Sequence, residues 1–173
     1  MSGALSLPIE RLWDGTPGRD DERVHVIVRR MANGDLSLSI DAPLHGDPPP
    51  EAPPGPTWEL WNHEVVELFL LGDGQAYTEI EVGPHGHHLV LTLQGHRHIV
   101  DRLLPLDVSV ERVGDRWTAE ARIARSLVPA GRLRGNAYAI HGAGEARRYL
   151  AWSPVPGDGP DFHRIELFPP LVL

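Results

Sequence analysis

Glu67 interrupts an otherwise apolar run, Val65-Val66-Glu67-Leu68-Phe69-Leu70-Leu71, and Glu79 and Glu81 alternate with Thr78, Ile80 and Val82 in the next segment. With Glu64 this makes four carboxylates inside segments that read as core β-strand, where they lose hydration unless something faces them. Side chains alternate along a strand, so Tyr77, Glu79 and Glu81 share one face, with successive members ~6.5 to 7 Å apart. That spacing is close to the range used by carboxyl pairs in glycoside hydrolysis. One carboxyl, kept protonated by apolar surroundings, would donate to a leaving oxygen while a second stays ionised. The same pattern also fits a solvated outer face. Glu67, flanked on its face by Val65 and Phe69, equally fits a structural carboxylate held by an arginine or by backbone amides.

Ten histidines add imidazole to this acidic background, and His85, His87, His88, His96, His98, His141 and His163 all follow the acidic strands. Together with Glu79 and Glu81 they offer nitrogen and oxygen donors for a divalent ion, although the spacing matches no specific metal motif. His163 lies two residues from Asp161, which could orient the ring for acid and base work or merely close a local turn. The candidate catalytic residues are therefore Glu67, Glu79, Glu81, His141 and His163. The candidate ligand-binding residues are Trp61, Tyr77, His88, Trp152 and Asp161. Other templates fail: the chain has no cysteine, no Gly-x-Ser-x-Gly elbow and no glycine-rich phosphate loop between a strand and a helix.

The elements that must position these groups are strands. Val24, Val26 and Val28 alternate with His25, Ile27 and Arg29, and Leu36, Leu38 and Ile40 with Ser37, Ser39 and Asp41, across an Asn33-Gly34 hairpin turn. Further strands are expected at 64–71, 77–83, 88–93, 97–101, 106–112, 116–123 and 136–141, with one short helical turn at 124–128 cut off by Pro129. Turns recur at the interval of a sandwich or barrel rather than of βαβ units. Residues 43–57 hold seven prolines and read as a stiff loop across one end of the sandwich, with a second loop at 153–160 expected to meet it at a shared rim.

A length of 173 residues suits one domain spanning 1–173. The net charge of -8, from 24 acidic and 16 basic residues, disfavours nucleic acid and anionic membranes as partners and leaves a small molecule or oligosaccharide as the expected ligand. No stretch reaches about 18 apolar residues, and without cysteines or a signal-like start a cytoplasmic location is expected. No feature of the sequence fixes an oligomeric state.

Leu60-Trp61-Asn62-x-Glu64-Val65-Val66-Glu67, Tyr77-x-Glu79-Ile80-Glu81-Val82-x-Pro84-x-Gly86, Trp117-Thr118-Ala119-Glu120-Ala121 and Trp152-Ser153-Pro154 with Asp161-Phe162-His163 resemble the family 9 carbohydrate-binding modules and DOMON-like β-sandwiches. More closely, Trp13-Asp14-Gly15, Asp41-Ala42-Pro43, Ala139-Ile140-His141-Gly142 and Pro160-Asp161-Phe162-His163 are similar to an uncharacterised family whose human member is known as an open reading frame on chromosome 4. The resemblance implies an all-β, antiparallel, jelly-roll-like sandwich that grips sugar between aromatic side chains, placing such roles at Trp58, Trp61 and Trp152. In the carbohydrate-binding family calcium is often structural, so the resemblance implies calcium, beside the zinc that the histidine and glutamate donors suit. The leading expectation is a carbohydrate-binding β-sandwich, and the alternative is a small glycoside hydrolase using paired glutamates with histidine assistance.

Overall fold

The computed structural model describes residues 3–173 and contains thirteen strands. Five form one sheet in the order β1-β3-β4-β11-β10: β1 (Ala4–Ile9), β3 (Val24–Arg30), β4 (Leu36–Pro43), β10 (Asp107–Val113) and β11 (Arg116–Ile123). The other sheet runs β2-β13-β12-β6-β7-β8-β5: β2 (Arg11–Leu12), β5 (Gly55–Pro56), β6 (Val65–Leu71), β7 (Ala76–Val82), β8 (His87–Gln94), β12 (Arg134–His141) and β13 (Arg148–Ala151). β9 (Ile99–Asp101) hangs on β8. Every pairing is antiparallel except the two-residue contact of β5 with β8. Helical structure among the described residues is limited to three-residue 3-10 turns, one of them at Arg125–Leu127 where the sequence foretells a helical turn.

The two sheets differ in how their faces are used. In β4 and β11 buried residues alternate with more exposed ones, as in a sheet with one wet side. Their apolar side chains meet Val66, Leu68, Leu70, Ile80, Val82 and Val90 of the second sheet in the sandwich core, around a fully buried Trp117. The second sheet is covered on both faces, which is why β6 reads as an unbroken hydrophobic run and all seven of its residues are buried. Its outer face carries Val65, Phe69, Leu71, Leu89, Leu91 and Tyr138. Leu60 and the C-terminal segment through Val155, Phe162 and Phe168 lie over it.

The proline-rich segment is pinned as a structured loop. Glu64 accepts the backbone N–H groups of His45 and Asp47, His87 Nε2 lies 2.8 Å from the Ala52 carbonyl, and the Thr57 amide donates to the His88 carbonyl. β1, β2, β5 and β13 lie outside the strands read from the sequence. β1 contains Pro8, which weakens a strand reading but is tolerated on the edge strand that β1 forms.

Gly135 is where β12 approaches most closely. A Cβ there would lie 2.2 Å from the Phe69 carbonyl oxygen and 2.7 Å from a Leu171 methyl. Gly135→Ala is expected to destabilise the protein by about 2 to 3 kcal/mol through overpacking, read as a lowered urea midpoint at unchanged slope.

Candidate functional site

Strand alternation puts Glu67 on β6 and Tyr77, Glu79 and Glu81 on β7 on the outer, covered face of the second sheet. Glu67 stands directly opposite Glu81, and Glu79 opposite Phe69. One oxygen from each of Glu67, Glu79 and Glu81 lies within 4.8 Å of the others. All three side chains are buried, and Glu79 Oε2 and both oxygens of Glu81 receive no N–H or hydroxyl donor.

Burial raises all three carboxyl pKa values. Desolvation, with the neighbouring carboxylates, pushes Glu67 and Glu81 well above the usual range. Glu79 is raised to about 7, again chiefly by desolvation, with hydrogen bonding to the Glu81 carboxyl pulling it back.

Glu67 and Glu79 floor a cleft of about 340 Å³, with Glu81 fully buried beside them. Its walls are aromatic and cationic: Trp58 and Trp61, packed edge to face at 5.2 Å, Tyr149, Phe162, Arg97 and Arg147. His163 reaches in from the C-terminal segment, with Nε2 3.8 Å from Glu79 Oε2 and Nδ1 2.8 Å from the Tyr77 hydroxyl. Desolvation, reinforced by Arg97, lowers its pKa to about 4, so the ring is neutral at pH 7. Burial raises the Tyr77 hydroxyl to about 12.

Asp161 fixes this corner. It accepts from the His163 amide at 3.0 Å and from Arg97 at 2.9 Å, and lies 2.8 Å from His96 Nε2. Burial works against its ionised form, but these partners bring its pKa down to about 2. Arg147 donates to the carbonyls of Trp61, Asn62 and Gly142 and holds the aromatic wall in place.

The structure therefore gathers Glu67, Glu79, Glu81, His163 and Trp61 at one cleft, with Tyr77 and Asp161 as the groups that hold His163. Three residues expected there lie elsewhere. His88 is on the same face of the sheet as Val82 and Val90, turned into the sandwich, because it is one residue out of phase with Leu89 and Leu91. Trp152 packs against the sandwich core. His141 occupies a separate cluster, with Nε2 2.8 Å from Glu22 Oε1 and its ring stacked on His45 at 3.6 Å. The two loops expected to share a rim do not share this cleft: residues 153–163 contribute Pro160, Phe162 and His163, but no lining residue comes from 43–57, whose prolines lie instead against His63, Glu64 and the 83–87 turn.

No family model matches the chain. It is 43% identical to the UPF0462 protein C4orf33 homolog of Mus musculus over 175 aligned residues, covering 96% of this chain and 90% of the mouse protein. The UPF0462 protein C4orf33 of Homo sapiens is 39% identical, with 95% and 86% covered. The chain belongs to the UPF0462 family. Among solved structures, this UPF0462 chain is similar to a candidate carbohydrate-binding protein from Bacteroides uniformis, with a TM-score of 0.74 over 98% of this chain and 86% of the other. At 16% identity that likeness carries the β-sandwich fold.

Arg97, Arg147, Tyr149 and Phe162 are site residues that sequence reasoning passed over. The Phe162 signal was present in Asp161-Phe162-His163, but nothing local marks Arg97, which sits in a loop with φ 60°.

The Glu22 cluster yields a pH prediction. Burial opposes ionisation of Glu22, yet Arg148 at 2.7 and 2.8 Å, the Arg19 amide and His141 lower its pKa from 4.5 to about 2. A depressed carboxyl pKa stabilises the fold above the unfolded-state value, and that stabilisation is lost as pH falls from about 4.5 to about 2. It amounts to about 3 kcal/mol. Denaturant titrations of wild type and Arg148→Met between neutrality and pH 2 are expected to differ most near neutrality and to converge toward pH 2.

Proposed function

We propose that the cleft binds a saccharide, making the chain a carbohydrate-binding β-sandwich protein. The observation that carries this reading is the division of the cleft into aromatic walls and a polar floor. Trp58, Trp61 and Tyr149 offer flat apolar surfaces for the C–H face of a sugar ring, while Glu67, Glu79, Arg97 and His163 present acceptors and donors for hydroxyls. The volume of about 340 Å³ falls at the small end of ligand sites, which suits one or two sugar units better than a long chain. The carbohydrate-binding assignment of the Bacteroides uniformis neighbour agrees with this reading.

Calorimetric titration against a panel of mono- and oligosaccharides tests it. Trp61→Ala is expected to weaken binding about five- to thirty-fold, the loss of roughly 1 to 2 kcal/mol of stacking. Trp152→Phe, outside the cleft, is expected to leave affinity unchanged. A panel with no binder, or equal affinity in Trp61→Ala, ends the proposal.

One observation favours a second reading as a glycoside hydrolase: a carboxyl with pKa near 7 opens on the cleft beside other carboxyls. Glu67, held protonated by its burial, would act as the acid, Glu79 as the ionised partner and His163 as an aid to proton transfer. Chromogenic glycosides separate the two readings. Turnover that Glu79→Gln reduces about 10²- to 10⁴-fold makes the protein an enzyme; binding without turnover leaves the binder.

A further inference from the structure

We infer that Glu67, Glu79 and Glu81 form a binding site for one oxygen-preferring divalent cation at the floor of the cleft. The inference stands apart from the saccharide reading, because it concerns what the carboxyl groups bind when no sugar is present.

The first observation is convergence. Oxygens on opposite sides of a magnesium, manganese or calcium ion are about 4 to 5 Å apart, given metal–oxygen distances of about 2.0 to 2.6 Å. The three carboxyls each place an oxygen within 4.8 Å of the other two without any rearrangement of the backbone.

The second observation is Glu81 itself. Its side chain is fully buried, lies behind the two glutamates that open on the cleft, and receives no N–H or hydroxyl on either oxygen, the Glu79 carboxyl being its one polar neighbour. Buried carboxyl oxygens are ordinarily met by N–H or hydroxyl donors, so a side chain met only by another carboxyl points to a partner outside the polypeptide. The arginines that line the cleft do not supply it. Arg97 is held by Asp161, and Arg147 by three backbone carbonyls. Among the described residues, neither arginine forms an ion pair with the trio.

The donor set selects the class of ion. Three carboxylates and no thiolate suit calcium, magnesium or manganese rather than the softer metals. His163, 3.8 Å from Glu79, is placed to supply one nitrogen or to hold a metal-bound water. Glu67 and Glu79 face the cleft, which gives the ion a way in and leaves coordination positions directed toward any bound ligand.

The test uses the full chain, stripped with a chelator and titrated with Mn²⁺ while the free ion is followed by electron paramagnetic resonance. Calcium, magnesium and zinc are then added as competitors. Expected is one Mn²⁺ per chain, displaced by Ca²⁺ or Mg²⁺, with affinity reduced about ten-fold or more in Glu81→Gln. Glu111→Gln, on the exposed strand β10, is expected to bind as wild type does. Glu67→Gln replaces Glu81→Gln as the test variant should the latter fail to fold. No Mn²⁺ uptake, or equal affinity in the folded variants, overturns the inference. Sugar titrations on the stripped chain keep the two proposals separate, because sugar binding there would stand whether or not the ion binds.

Discussion

Burying three carboxyl groups side by side on a sheet face is the constraint around which this molecule is arranged. Each ionised carboxylate removed from water costs several kcal/mol unless a charge or donors replace the solvent. The second sheet cannot avoid that cost by exposing its outer face, because Leu60 and the segment from Val155 to Phe168 cover it. The cleft alone remains over Glu67 and Glu79, and several of its walls are tied in place. Asp161 anchors Arg97 and the backbone of His163, the Tyr77 hydroxyl meets the His163 ring, and Arg147 ties the Trp61 turn to the end of β12. A floor that is costly to bury, under walls held this firmly, is the arrangement expected of a binding site rather than of a core.

The opposite treatment of another buried carboxylate sharpens the point. Glu22 is as inaccessible as Glu81, yet it accepts two hydrogen bonds from Arg148 and one from the Arg19 amide, and its pKa falls to about 2. Glu81 has no such partners and its pKa rises. One protein thus shows both outcomes of carboxylate burial. The Glu22 cluster is complete within the chain: it draws His141 and His45 into a stacked pair, with the Arg148 side chain packed alongside. Nothing comparable completes the trio, and that difference separates a structural ion pair from a site with unmet bonding capacity.

The sequence revealed the strands because the hydrophobic period was intact. Alternation in β3, β4 and β11 marked a sheet with one wet face, and the unbroken run of β6 marked one covered on both sides. It also placed Glu67, Glu79 and Glu81 in strands and, through parity, Tyr77, Glu79 and Glu81 on one face. Parity was equally available for His88, which is out of phase with Leu89 and Leu91, but the histidine-rich turn before it obscured where the strand began. The short strands β2 and β5 could not be read because two residues carry no period. Arg97 and Arg147 were illegible for another reason: their places depend on Asp161 and on the carbonyls of Trp61 and Asn62, contacts 64 and 85–86 residues away in the chain.

His141 shows where such reading stops. Its neighbours in sequence, Ile140 and Gly142, say nothing about Glu22, which lies 119 residues away and reaches it because the Asp20–Glu22 turn packs beside the ends of β4 and β12. Histidine and glutamate in the same fold could have met at the cleft. The register of β12 against β6 decides otherwise, since it sets Tyr138, not His141, beside Glu67, and carries His141 beyond the last paired residue of β6. Strand register, a property of pairing between distant segments, therefore fixes which acidic groups acquire a cation from the chain and which are left without one.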